Sequence, residues 1–281
     1  GIRKKNEEKM NKPAHWTGQF GLQKNPFRDT IDTELFFRTR QHEDAALKIK
    51  IGIEDHHSLI LLTGASGTGK TLASQVVLRS LARDRFESSF VFVFPGMGKG
   101  ALLGAIATEL GLQPKRFMQD RLRQVQEKAM ELHRQGKRLV IVIDEAHFLK
   151  ADALHVLRTL SNLETEHDKL VTVLLIAEQS LRRRLKAPSY ASLRGRITFS
   201  VDLLPLSLGD LEQYVKYRIL KCGGQFGFFS SDIYESLHQL SGGIPREINR
   251  LLYATFIEAI ASNQHTVTKE LLLSAAASLM V

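Results

Sequence analysis

The chain has 281 residues, 43% of them hydrophobic and 25% charged, which suits a soluble globular protein of one large or two smaller domains. Thirty-nine Lys and Arg against thirty Asp and Glu give a formal charge of +9; such a surface favours acidic partners where it does more than keep the protein soluble. The single cysteine, Cys222, excludes an internal disulfide and points to a reducing cytoplasm, and the apolar runs fall far short of the ~20 residues of a spanning helix.

Residues 1–17 read as a polar, basic lead-in, expected to be mobile and without a secretory leader. From 18 to 202, short β-branched runs alternate with helical stretches, as in a parallel sheet with crossover helices. Strands are expected at 59–63, 90–94, 139–143, 171–176 and 197–201. Leu122, Val125, Ala129 and Leu132 recur at helical spacing and predict a helix over 116–134.

The first strand runs into "GASGTGKT": Gly64, Ala65, Ser66, Gly67, Thr68, Gly69, Lys70 and Thr71. This is the phosphate-loop pattern of glycine, four residues, then Gly-Lys-Thr. The glycines let backbone N–H groups turn toward phosphate oxygens, and the next helix aims its positive end at the same place. Lys70 then reaches the β- and γ-phosphates, and Thr71 offers a hydroxyl to Mg²⁺. The third strand ends in "VIDEAHFL", where Asp144 is the second Mg²⁺ residue and Glu145 is placed to polarise an attacking water. One helicase class shares the letters D-E-A-H, but "SLRGRI" lacks the arginine-glycine box that class needs. His56, His57, His133, His147 and His155 have no carboxylate or cysteine at ligand spacing, so no metal site other than Mg²⁺ is expected.

Arg194 and Arg196 precede the last strand, where a neighbouring subunit's γ-phosphate could be touched in trans. "LRRRLK" (181–186) reads as a solvated helix face, or on a basic chain as a phosphate tracker. Lys99, in the glycine-rich "PGMGKG", is a candidate channel residue. Beyond 203 the pattern becomes wholly helical: Ser207 can cap a helix to 221, Ser230 or Ser231 another to 240, and Pro245 suits a first helical position. Arg246 follows on a first turn, where a cation is electrostatically disfavoured, and this gives weight to a functional role on a lid. Residues 18–202 are thus expected to form an α/β core and 203–281 an all-helical lid.

"FGLQKNPF", "LLTGASGTGKT", "VIDEAHFL", "LRRRLKAPSYASLRGRI", "PLSLGDLEQYVKYRI" and "SGGIPREINRL" occur in this order. Together they resemble the AAA+ ATPases of the ExeA/GspA type, which serve secretion and pilus assembly, and more loosely the TnsC and MuB regulators of DNA transposition. The resemblance covers most of the chain. It implies ATP with Mg²⁺, self-association into a ring or helical oligomer, Arg196 or Arg194 as a finger, and Arg246 as a lid sensor. Its partners would be a secretion or pilus component or, on the second likeness, duplex DNA. Larger ExeA proteins continue into a membrane span, and a chain ending "LLLSAAASLMV" is compatible with such a continuation. One departure stands out. Where the family carries Gly-Gln after the fourth strand, this chain has Ala177-Glu178, with Gln179 one place later. A carboxylate there would repel a γ-phosphate, so either Gln179 senses it or hydrolysis is slow, as in a nucleotide-gated scaffold.

Overall fold

The computed structural model describes residues 16–28, 32–225 and 227–279. The expected lead-in lies outside these, apart from Trp16 and Thr17, which begin the 3-10 turn Trp16–Phe20. The chain divides into two compact units: Arg38–Leu204, and a second that joins Gly1–Phe37 to Pro205–Val281.

The first unit is built on five parallel strands in the order β2-β3-β4-β1-β5. These are β1 (Leu59–Gly64), β2 (Phe86–Phe92), β3 (Arg138–Asp144), β4 (Val171–Ala177) and β5 (Ile197–Leu203). The three central strands, β3, β4 and β1, are buried along every residue, the mark of a parallel sheet covered on both faces. Leu59, Leu61, Ile141, Val173 and Leu175 face a core completed by α3 (Lys99–Glu109), α4 (Met118–Arg134) and α5 (Ala151–Ser161). Ile60 points the other way, toward α1 (Arg40–Glu54). There Gly52 lies so close that an added Cβ would be 2.7 Å from Ile60 Cδ1. A further helix, α2 (Lys70–Ser80), follows the loop after β1.

The expected strand 90–94 is instead Phe86–Phe92, in register from Phe86 opposite Arg138 to Phe92 opposite Asp144. Its first half, Glu87-Ser88-Ser89, is polar because β2 is an edge strand, and so carries no apolar signal. Chain order reverses between β1 and β4, which makes the carboxyl ends of these strands the place where an open α/β sheet offers a crevice.

The second unit holds α8 (Leu208–Lys221), α9 (Ile233–Ser241), α10 (Pro245–Ala261) and α11 (Lys269–Leu279). Ser207 caps α8 by accepting the Asp210 N–H at 3.1 Å, and Pro245 begins α10. The helix expected from 230 or 231 starts at Ile233, after Asp232, which makes no side-chain cap. The larger correction concerns residues 18–37, which the sequence assigns to the α/β core. They pack instead among these helices: Phe20, Leu22, Phe27 and Leu35 are buried in the same cluster as Leu211, Leu252 and Phe256. Phe256 is wholly enclosed, with Phe20 edge-on at 4.7 Å and Phe228 at 5.6 Å. The buried Arg218 on α8 clamps the segment by donating from Nε to the Pro26 carbonyl at 2.5 Å. Cys222 is buried here, and burial pushes its thiol pKa up, away from reactivity. Among the described residues no helix is long and apolar enough to cross a membrane.

Because Phe256 is the common neighbour of Phe20, Phe27, Phe228 and Phe229, Phe256→Ala is expected to destabilise this unit by about 3–5 kcal/mol. Urea unfolding followed by tyrosine and tryptophan fluorescence measures it. A loss below about 1 kcal/mol, as for a surface change, would mean that this aromatic cluster does not hold the segment.

Candidate nucleotide site

The loop 64–71 leaves the buried end of β1 and turns directly into α2. Its glycines answer separate steric demands. A Cβ at Gly64 would lie 2.6 Å from the Leu203 carbonyl and 2.8 Å from Thr68 Oγ1, while Gly67 and Gly69 take positive φ of 81° and 93°. Gly69 is the N-cap of α2 and supplies no side-chain cap, and a helix start of this kind suits an anion. Thr68 closes the turn by donating from Oγ1 to the Ala65 carbonyl at 2.9 Å. Lys70 is buried, and its ammonium donates to the carbonyls of Gly64 at 3.0 Å and Ala65 at 2.8 Å. The loop thus wraps around its own lysine.

Thr71, in the first turn of α2, and Asp144, the last residue of β3, meet. Thr71 Oγ1 donates to Asp144 Oδ2 at 2.6 Å, while Asp144 Oδ1 accepts the Glu145 N–H at 2.9 Å. Burial raises the Asp144 carboxyl above its ordinary range, against the pull of Thr71, the Glu145 N–H and Lys70. A hydroxyl and a buried carboxylate short of positive charge are hard oxygen donors that suit Mg²⁺. Glu145 takes the left-handed conformation, φ 57°, a strained position for a residue with a Cβ.

The sequence treats His147 as isolated, yet it organises this corner. Its Nδ1 accepts the Glu178 N–H at 3.2 Å, so its proton resides on Nε2, which lies 3.4 Å from Glu145 Oε2. The imidazole therefore ties the Glu145 carboxylate to the end of β4. His42, also missed, is buried on α1. Thr39 Oγ1 lies 2.7 Å from its Nδ1, and its Nε2 is 3.5 Å from the Thr68 carbonyl, which braces the loop from behind. The i, i+2 spacing of Glu145 and His147 was a visible signal; nothing local announces that His42 reaches the loop.

Gln179 opens α6 (Gln179–Arg184) and donates to Asp202 Oδ1 at 2.9 Å, with Thr63 Oγ1 3.5 Å away. Its amide is thus held at the base of the loop, just behind Gly64. Burial works to raise the Asp202 carboxyl, but bonds from Thr63 and Gln179 and the Arg182 guanidinium outweigh it and hold it below the usual range. Arg182 is consumed in that network, and Arg184 donates to the Leu149 carbonyl at 2.6 Å. Two of the three arginines read as a solvated or phosphate-tracking face are therefore structural ties.

Arg194 ends α7 (Ala191–Arg194) and donates to the Leu185 carbonyl at 2.7 Å; Arg196 binds Asn162 Oδ1 at 2.7 Å and the Ser192 carbonyl at 2.8 Å. Ile197 pairs with Leu59 and Leu203 with Gly64. Both arginines therefore lie at the far end of β1 from its own loop, on the order of 20 Å away at ~3.3 Å per residue. The structure does not bring them to the site of their own chain. Arg246 belongs to the helical unit, at an exposed position of the first turn of α10. Lys99 is exposed at the start of α3. Its loop is strapped to the one after β3, because Gly96 N–H donates to the Phe148 carbonyl at 3.1 Å and Lys150 N–H to the Met97 carbonyl at 2.9 Å.

A carboxyl whose folded pKa is raised binds its proton more tightly in the folded than in the unfolded chain. Its contribution to stability therefore falls as pH rises from the ordinary carboxylate value through the folded one, and the penalty is complete above that. Asp144→Asn is accordingly expected to raise the urea midpoint at neutral pH without nucleotide or divalent cation, and to lose that advantage toward about pH 4. A lower midpoint in the variant at neutral pH would refute burial as the dominant influence.

Residues 53–185 match the family described as AAA domain. General secretion pathway protein A of Aeromonas hydrophila is 33% identical over 255 residues, which cover 90% of this chain and 46% of that protein. The chain thus spans about half the length of the curated relative it matches. The Aeropyrum pernix ORC1 protein in complex with DNA superposes with a TM-score of 0.70 at 20% identity, over 90% of this chain and 68% of that one. Drosophila ORC bound to DNA gives 0.73 at 16% identity, over 100% and 74%. At these identities the solved structures speak to the fold alone.

Proposed function

We propose that this chain, an AAA+ P-loop NTPase in fold with an AAA domain across residues 53–185, is a cytoplasmic ATPase of the secretion or pilus-assembly type. It binds ATP at 64–71, assembles through sites shared between subunits, and uses hydrolysis to switch or remodel a partner. The observation that carries this reading is the meeting of Thr71, Asp144 and Glu145 beside Lys70 at the carboxyl ends of β1 and β3. The relative of 33% identity supplies the secretion assignment.

In this reading the α2 N–H groups and the loop amides take the phosphates, and Lys70 exchanges the carbonyls of Gly64 and Ala65 for phosphate oxygens. Thr71 and Asp144 would hold Mg²⁺, which would supply charge neutralisation to the phosphates. Glu145 orients and polarises the water, and His147 keeps its carboxylate in place. Gln179, rather than the Glu178 carboxylate, faces the base of the loop and acts as the sensor. Arg194 or Arg196, remote from the site of its own chain, acts on a neighbour's nucleotide. The charge of +9 with an exposed Lys99 supports a second reading, ATP-gated binding to duplex DNA. In that case affinity falls by about 0.9 log units per log unit of salt for each phosphate neutralised, whereas an assembly indifferent to DNA at low salt leaves the secretion reading alone.

Lys70→Ala is expected to abolish nucleotide binding. Glu145→Gln is expected to keep ATP bound but reduce turnover at least ~100-fold, the scale of lost general-base help. Steady-state phosphate release together with nucleotide binding by fluorescence separates the two, and parental turnover in the glutamine variant would sink the assignment.

Arg196→Ala or Arg194→Ala is expected to bind ATP yet fail to hydrolyse it. Mixing that variant with Lys70→Ala protein should restore part of the activity, because a mixed interface joins one intact half-site from each. If no mixture of folded, associating variants recovers activity, the site is complete within one chain.

A further inference from the structure

Arg138 opens β3 at the end of the sheet away from the phosphate loop. From Arg138 to Asp144 the strand runs on the order of 20 Å, so whatever Arg138 does is separate from nucleotide chemistry. Its side chain is 5% exposed. Nε donates to Thr172 Oγ1 at 3.2 Å, and Nη1 donates to the Lys169 carbonyl. Nη2 is buried and has no hydrogen-bond partner among the described residues. No carboxylate pairs with this guanidinium there either: the nearby ion pairs are Lys137 with Glu87, Lys169 with Glu164, and His56 with Asp168 at 3.8 Å.

A buried guanidinium without a carboxylate in direct contact is an expensive arrangement. Burial lowers its pKa to about 10, and His56 beside it is also lowered, by burial and by the positive charge of Arg138 and Arg85. Arg138 is not enclosed by apolar packing. It lines a cleft of about 220 Å³, together with Arg85, Lys137, Lys169, His133 and His56. The one carboxylate in that lining, Asp168, is exposed. Five basic side chains thus ring a sixth that forms no ion pair, has only the exposed Asp168 as a more distant opposite charge, and lacks one hydrogen-bond acceptor.

We propose that this cleft is an anion site that takes a small phosphate, inorganic or a monoester, with Arg138 at its floor and Arg85, Lys137 and Lys169 at its mouth. A phosphate offers several acceptor oxygens and the charge that the guanidinium lacks, and arginine is the side chain best matched to it. The exposed glutamates beside Lys137 and Lys169 neutralise the mouth in part and leave the floor unmatched. This assignment is independent of the nucleotide reading.

The test is calorimetric titration of inorganic phosphate into nucleotide-free Lys70→Ala protein, which removes the competing cation of the phosphate loop. Acetate at equal ionic strength is the comparison. One saturable phosphate site with a dissociation constant of about 1 mM or tighter is expected, with no matching signal from acetate. Arg138→Met should remove it. Since that variant could fail to fold, the exposed Arg85 and half-buried Lys137, changed together as Arg85→Glu/Lys137→Glu, provide the second arm and should weaken phosphate at least ~10-fold. Phosphate binding unchanged in the double variant, or no heat beyond that of acetate, would overturn the proposal and leave Arg138 as a tie to Lys169 and Thr172 only.

Discussion

The bond from Thr71 to Asp144 joins the first turn of α2, which the loop ties to β1, to the end of β3, and β1 and β3 do not touch. β4 lies between β1 and β3, and the gap closes only because all three strands end at one level, Ile143 opposite Leu175 and Leu62 opposite Ile176. That level is a matter of register. A slip of one residue would move every buried side chain of these strands to the opposite face, so the apolar packing that fixes the sheet also fixes the distance between hydroxyl and carboxylate. The site's accuracy is inherited from a core that is mostly apolar.

Around that level the polar groups form two separate corners. On one side His147 links Glu145 to the N–H of Glu178. On the other, Asp202 collects Thr63, Gln179 and Arg182. Both corners draw on the residues just after β4, so the Glu178-Gln179 pair addresses each with a different group: a backbone N–H to the first and a side-chain amide to the second. The unusual residue order after β4 is absorbed by letting the glutamate contribute its main chain.

What the sequence disclosed was whatever is local. The loop 64–71 and the Asp144-Glu145 pair lie on consecutive residues whose spacing is itself the chemistry, and the central strands are mostly apolar runs. The start of β2 was hidden because an edge strand can be polar. Residues 18–37 were assigned to the wrong unit because their partners, Phe256 and Arg218, are about two hundred residues away. Arg182 and Arg184 read as a solvated or phosphate-tracking face, since a side chain's burial depends on elements that its own neighbourhood does not mention. Arg194 and Arg196 were legible as a position, while their remoteness from their own loop needed the strand pairing of β5 with β1.

The two-segment make-up of the helical unit also bears on how the molecule is born. Phe20 and the Pro26 carbonyl leave the ribosome early, but their partners Phe256 and Arg218 lie beyond the whole of Arg38–Leu204. At about 5–20 residues per second, synthesis leaves the segment without a home for on the order of 10 s. The α/β unit is one continuous stretch of chain, Arg38–Leu204, and is complete before the helical one can begin to close. Closure of the helical unit is then the late, long-range event. Until it happens, an aromatic-rich stretch at the beginning of the chain is exposed to anything else in the cell able to cover it.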